Sequence, residues 1–262
     1  DPTGLQTRAV LDGDEWVIDG HKWFSSGAEG AGFGVVMAVT DPDAEPHRRM
    51  SQILVPADTP GVNIVRDIGT MEHPIEGSFG RLGNHAEIRY EDVRVPAASL
   101  LGDEGAGFLI AQHRLGPGRI HHCMRLLGMA ERALELLCRR VLDRVAFGRP
   151  LAEQGVIDEW IAESRVRIES LRLLVLKAAW LMDQRRPNTL ESSMCKVKAG
   201  DVVTRVTQKG VEMAGPPGYS RALLLEKWMR DAKINDIFEG TGQINRLVIA
   251  RRILGYSSRE LK

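Results

Sequence analysis

The sharpest constraint in this sequence is a change of hydrophobic period at Pro96. Before it, short runs rich in β-branched and aromatic residues (15–18, 35–39, 53–55, 62–65 and 86–90) alternate with Gly and Pro turns such as Pro60-Gly61. Asp19-Gly20, between Glu15-Trp16-Val17-Ile18 and Lys22-Trp23-Phe24, carries a hairpin-turn signature and predicts a hairpin there. Many short strands with no helical run between them predict an antiparallel β-barrel or sandwich over residues 1–103.

After Pro96 apolar residues recur at the helical spacing. A helix is predicted from Gly107 to about residue 145, with Met124, Leu127, Met129, Ala133, Leu136, Leu137 and Val141 on its apolar side. A second, over about 153–185, places Ile157, Trp160, Ile161, Ile168, Leu171, Val175, Ala178 and Leu181 on one stripe, with Glu159, Glu163, Arg167 and Arg172 opposite. Pro187-Asn188-Thr189 breaks the chain and offers a cap for a third helix, which Gly215-Pro216-Pro217-Gly218 ends near Ala214. Two shorter helices follow, near 221–230 and 240–254. Residues 104–262 therefore predict a four-helix bundle, and the chain as a whole an α+β protein of two domains.

Composition removes several classes of function. The 35 basic residues balance 35 acidic ones, so no net field favours nucleic acid or an anionic membrane. No apolar run reaches the ~18 residues that span a bilayer. Cys123, Cys138 and Cys195 are widely spaced and odd in number, which fits a reducing compartment. The start, Asp1-Pro2-Thr3-Gly4, has neither a signal peptide's charged and apolar regions nor an initiator Met, so the chain reads as beginning inside something longer.

Few segments carry chemistry. Gly102-Asp103-Glu104-Gly105-Ala106-Gly107 lacks the spacing and the GK[ST] ending of a phosphate loop and reads as a turn into a helix. His121 and His122 point about 100° apart on a helix, with no carboxylate at i+4, and read as packing histidines rather than metal ligands. No metal site is expected. The informative stretch is Ile237-Phe238-Glu239-Gly240-Thr241-Gly242-Gln243-Ile244-Asn245-Arg246, where a carboxylate, a glycine and a hydroxyl meet at a loop-to-helix boundary. Read physically, that trio suits a helix cap as well as a site.

This stretch resembles the C-terminal signature of the acyl-CoA dehydrogenases, whose equivalent Glu is the catalytic base. Further resemblances run in order along the chain: Asp12-Gly13 to Gly27, Thr59-Pro60-Gly61-Val62, the segment 79–95 ending Glu91-Asp92-Val93-Arg94-Val95 before Pro96, and Arg144-Val145-Ala146-Phe147-Gly148. The run Arg114-Leu115-Gly116-Pro117-Gly118-Arg119-Ile120-His121-His122-Cys123-Met124-Arg125 is similar to the branch of vertebrate family members ten and eleven, which handle long or branched chains. Asp1 matches the residue that ends the family's first flavin-contact segment, so the family's N-terminal helical domain is expected to be absent.

The resemblance implies FAD-dependent α,β-dehydrogenation of an acyl-CoA to the trans-2-enoyl-CoA, with electrons passed to an electron-transfer flavoprotein. It implies Glu239 as base, and its backbone N–H, with a ribityl hydroxyl, as an oxyanion-type clamp on the thioester carbonyl. Relatives that place the base on the long helix have it where Gly118 stands here, and glycine cannot serve. Arg119 and Gly240 correspond to substrate-side positions, with an ordinary salt bridge as the other reading of Arg119. Phe24 and Ser26 match residues beside the isoalloxazine ring, and Thr241 and Gln243 match positions near the adenine and pyrophosphate. Arg144 and Phe147 match residues that reach the FAD of a neighbouring protomer, which implies a homodimer or homotetramer. Glu212 and Gly215-Pro216 replace a Gln and a Gly-Gly pair, and Gly155 replaces a Gln, so FAD affinity is expected to be weaker or its adenine half to sit differently. The compartment would be the cytoplasm in a bacterium or the mitochondrial matrix in a eukaryote. Two other readings stay open: a flavin oxidase or monooxygenase on the same scaffold, and a non-catalytic oligomerising fragment.

Overall fold

The computed structural model describes residues 2–72, 85–257 and 260–261. Asp1 and the first six residues of the segment 79–95 lie outside the described residues. The contacts divide the chain into two compact units, the first ending at Arg114 and the second starting at Leu115. The sequence places the domain boundary at 103/104, a few residues ahead of the long helix.

The first unit is built on one open, six-stranded sheet. Its strands are β1 (Arg8–Asp12), β2 (Glu15–Ser26), β3 (Phe33–Val39), β4 (Met50–Pro56), β5 (Val62–Asp67) and β6 (His85–Pro96), in the order β4-β3-β1-β2-β6-β5. All pairings are antiparallel except β1 with β3, which meet in parallel through Arg8 and Val39. The predicted barrel or sandwich is therefore corrected. Among the described residues the edges β4 and β5 do not pair with each other, β4 making only an isolated bridge from Ile53 to Leu100, and the one other sheet is a two-stranded hairpin in the second unit. Alternating hydrophobicity reports which face of a strand is buried; closure depends on edge pairing, which that pattern does not encode. Trp16, Ile18, Val36, Ile53, Val93 and Val95 form the core on one face of this sheet. The Trp16 indole N–H donates to the Ala97 carbonyl at 3.3 Å.

The hairpin is also displaced from its predicted position. The turn joins β1 to β2 at Gly13-Asp14, with Asp12 opposite Glu15. Asp19-Gly20 lies inside β2 and marks a bulge, across which Ile18 pairs with Val93 and Gly20 with Tyr90. The extra residue is in β6, where Asp92 takes φ +47° and its N–H donates to the Asp19 carboxylate at 2.9 Å. A Cβ on Gly20 would come 2.5 Å from the Thr7 hydroxyl, so only glycine fits.

The second unit is helical: α1 (Gly107–Asp143), which begins in the first unit, α2 (Gly155–Asp183), α3 (Thr189–Ala214), α4 (Pro216–Tyr219), α5 (Leu225–Lys233) and α6 (Gly242–Leu254). A two-stranded hairpin, β7 (Val145–Ala146) and β8 (Arg149–Pro150), separates α1 from α2. The buried stripe of α1 is Cys123, Leu126, Leu127, Ala130, Ala133, Leu134, Leu137 and Val141; Met124, expected inside, is exposed. In α2 the buried residues are Ile157, Ser164, Ile168, Leu171, Val175, Ala178 and Leu181, with Trp160 and Ile161 at the edge. Asn188 stands at the start of α3 but its side chain makes no cap; its amide reaches back to the Ala178 carbonyl at 3.5 Å. No helix among the described residues is long and apolar enough to cross a membrane.

Candidate functional site

Between α5 and α6 the chain makes a single 3-10 turn, Ile234–Asp236, and then runs through Phe238, Glu239 and Gly240. Glu239 and Gly240 both have positive φ, +58° and +86°, so the backbone reverses just before α6. The cap of α6 belongs to Thr241, whose hydroxyl accepts the Ile244 N–H at 3.2 Å. Glu239 is thereby left out of the cap. Its side chain is turned inward and is 5% exposed.

Three neighbours hold this reversal. The Arg119 Nε donates to the Glu239 carbonyl at 3.0 Å. Asn245, 1% exposed on α6, donates through Nδ2 to the Gly240 carbonyl at 2.7 Å and the Thr241 carbonyl at 3.1 Å. A Cβ on Gly240 would press on that same Nδ2 at 3.1 Å. From α1, His122 places Nε2 3.4 Å from Glu239 Oε1, with its ring edge-on to Phe238 at 4.6 Å. From α3, the buried Lys196 ammonium donates to the Asn235 carbonyl and lies 5.1 Å from the centre of the Phe238 ring. Burial pushes the Lys196 pKa down, against the pull of Cys123, Asp236 and Glu239. Burial also pushes the Cys123 and Cys195 thiols up to about 12, which leaves them unreactive.

The structure brings Arg119, Glu239, Gly240 and Thr241 into one cluster in the second unit. Gln243 is exposed on the first turn of α6. Glu212 is exposed near the end of α3, where Lys209 and Gln208 engage its carboxylate. Gly215 ends α3 at φ +65° and ψ −146°. Arg144, at the head of the β7–β8 hairpin, is exposed and makes no ion pair among the described residues. Phe147, at the hairpin's turn, is 99% exposed.

Phe24 and Ser26 belong to the first unit, at the end of β2. The Phe24 ring is exposed and lies 5.2 Å from that of His85, and the Ser26 hydroxyl and His85 Nδ1 are 2.8 Å apart. They border a cavity of about 420 Å³, which Lys22 also lines. The Lys22 ammonium donates to the Met37 carbonyl at 2.6 Å, and burial pushes its pKa down to about 8.

Backbone strain falls on some of these residues and on others outside them. Five described non-glycine residues have positive φ: Phe24, Asp92, Phe147, Arg185 and Glu239. Three of these are candidate site residues, and such strain persists where surrounding contacts enforce it. An exposed aromatic ring beside a hydroxyl suits a flat heteroaromatic ring, and an arginine without a carboxylate partner suits a phosphate. These residues fit FAD.

Sequence reasoning missed four neighbours of these positions: His85, His122, Lys196 and Asn245. Two had a usable signal. His122 follows Arg119 by three residues, hence on the same helix face, and Lys196 falls in register with the buried Ala199, Val203 and Val206.

The family description "Acyl-CoA dehydrogenase, C-terminal domain" matches residues 105–254, and "Acyl-CoA dehydrogenase, middle domain" matches residues 1–82. The chain belongs to the acyl-CoA dehydrogenase family. Members of this family are FAD-dependent flavoproteins. The chain is 46% identical to FadE2 of Mycobacterium tuberculosis, described as a probable acyl-CoA dehydrogenase, over 96% of this chain and 61% of that protein. It is 42% identical to acyl-CoA dehydrogenase family member 10 of Mus musculus, over 99% of this chain and 24% of that protein. The fold is similar to that of butyryl-CoA dehydrogenase from Megasphaera elsdenii, with a TM-score of 0.87, 33% identity, and coverage of 96% of this chain and 64% of that one. The chain thus spans less than two thirds of the length of the relatives it matches.

Proposed function

We propose that this protein, with FAD bound, converts an acyl-CoA thioester to its trans-2-enoyl-CoA, with Glu239 as the base. One observation carries the reading: a carboxylate turned inward, on a reversal held at positive φ and not used to cap the helix beside it. FAD, when bound, supplies the acceptor for the β-hydride. Glu239 takes the α-proton. Polarisation of the thioester carbonyl by the Glu239 N–H makes that proton acidic enough to remove. Arg119 and Asn245 fix the carboxylate's approach by holding the carbonyls of Glu239, Gly240 and Thr241. Phe24 and Ser26 face the flavin ring, Thr241 and Gln243 its adenine and pyrophosphate, and Arg144 and Phe147 the FAD of a second protomer, in a homodimer or homotetramer.

We further assign a long or branched acyl chain, on the resemblance to the branch of family members ten and eleven, and an electron-transfer flavoprotein as acceptor. The test is anaerobic mixing of the purified flavoprotein with acyl-CoAs of graded length and branching, following loss of flavin absorbance. Rapid bleaching by long or branched acyl-CoAs is expected, with reoxidation by an electron-transfer flavoprotein. If no acyl-CoA bleaches the flavin, the dehydrogenase assignment is wrong.

A further inference from the structure

We infer that Lys196 is a positioning residue for the Glu239 loop, a buried cation that fixes the turn 235–238 and so sets where the carboxylate that follows it stands. The inference rests on Glu239 being the base. Lys196 lies on α3, in the stripe of Cys195, Ala199, Val202, Val203 and Val206, and is 1% exposed. Among the described residues it is the one lysine or arginine in the buried class. A position among these residues would be satisfied by an apolar side chain. Replacing a buried ion by an apolar residue of similar volume is often neutral or stabilising, so stability alone does not account for a lysine here.

The ammonium is aimed at the loop. It donates to the main-chain carbonyl of Asn235, and it sits 5.1 Å from the centre of the Phe238 ring, where the aromatic face stabilises a cation. Asn235 is itself fixed, because its side-chain amide donates to the Asp231 carbonyl at 3.0 Å and the Ala232 carbonyl at 3.2 Å. Lys196, Asn235 and Phe238 thus hold the segment that leads into Glu239, while Arg119 and Asn245 hold the carbonyls of Glu239 and the two residues after it. The charged and titratable groups around this point are His122, Arg119 and Cys123 from α1, Lys196 from α3, and Asp236 and Glu239 from the loop. Of the cations, Arg119 holds the Glu239 carbonyl, whereas Lys196 holds the Asn235 carbonyl and the Phe238 ring ahead of it.

Lys196→Met keeps the stem and removes the ammonium. In the purified flavoprotein, flavin reduction at saturating acyl-CoA should slow about tenfold because the base is misplaced, while the acyl-CoA concentration giving half the maximal rate and the FAD content stay unchanged. Backbone amides 235–240 should exchange with solvent about tenfold faster, and those of α2 and the rest of α3 should not change.

Three results would overturn the inference. One is an unchanged reduction rate together with unchanged exchange at 235–240. Another is faster exchange spread evenly over α2 and α3, which marks Lys196 as a residue of the core. The third is a Lys196→Met protein that fails to fold, since an apolar side chain of that size would leave a positioning residue's packing intact. If wild-type flavin is not reduced by any acyl-CoA, the enzymatic assignment fails instead, and the exchange measurement still decides what Lys196 does to the loop.

Discussion

Asn245→Ala tests how the Glu239 reversal is held. Asn245 is 1% exposed and gives both hydrogens of one amide to the Gly240 and Thr241 carbonyls, at 2.7 and 3.1 Å. Removing it deletes a hydrogen bond worth about 1 kcal/mol net to the Thr241 carbonyl, which keeps the main-chain N–H of residue 245 at 2.9 Å, and strands the Gly240 carbonyl, whose desolvation costs about 1–3 kcal/mol. Two terms act in the other direction. Alanine is a better helix former than asparagine by about 0.5 kcal/mol. Relaxation of Glu239 out of its left-handed conformation returns about 1 kcal/mol. The net loss is therefore about 0.5–2.5 kcal/mol, at its upper end a sizeable part of a typical 5–15 kcal/mol stability. Urea unfolding followed by far-UV circular dichroism reads it directly, with an unchanged m-value as the sign that only the native state was affected. Because the relaxed loop carries the base away from its approach, flavin reduction should slow by about 10–100-fold while FAD stays bound. A stability change below about 0.5 kcal/mol with a normal reduction rate would refute the claim that Asn245 holds the reversal.

Two further outcomes follow from the flavin-side residues. Arg144→Ala should weaken FAD binding by about 10–100-fold, the worth of one charge-assisted hydrogen bond, read by titrating apoprotein with FAD; undiminished affinity would remove the case for a shared site. Lys22→Met should be more stable than wild type at pH 7, because the native state there pays to bury the ammonium, whose pKa falls from 10.5 to about 8. The wild type sheds that penalty as pH rises through 8, while the unfolded chain still binds the proton, so the gap in urea midpoints should narrow by pH 9.5; a constant gap would mean that burial of the charge is not what separates the two.

Much of this architecture was legible because period is a local property. The stripes of α1, α2 and α3 and the short strands before Pro96 follow from residues close in sequence. What the sequence did not disclose is set by distant pairing. The parallel contact of Arg8 with Val39, and edge strands β4 and β5 that do not pair with each other, make an open sheet out of strands that would equally suit a barrel. Asp19-Gly20 has the composition of a turn but serves as a bulge opposite Asp92, which lies 73 residues on. At the site, the cap was ambiguous because Glu239, Gly240 and Thr241 all suit a helix start; the Thr241 hydroxyl takes it. His122 was set aside as a packing residue because adjacent histidines make a poor metal site, yet it reaches Glu239 from a helix that is remote in sequence.

The most direct test of the account is Glu239→Gln, which preserves shape and hydrogen bonding and removes the proton acceptor. Wild type and variant are mixed anaerobically with a good acyl-CoA, and flavin bleaching is followed. FAD content and the oxidised spectrum should be unchanged, and bleaching should slow by about 10²–10⁴, the worth of a positioned base. Equal bleaching rates in the two proteins would contradict the account and leave Glu239 a structural residue.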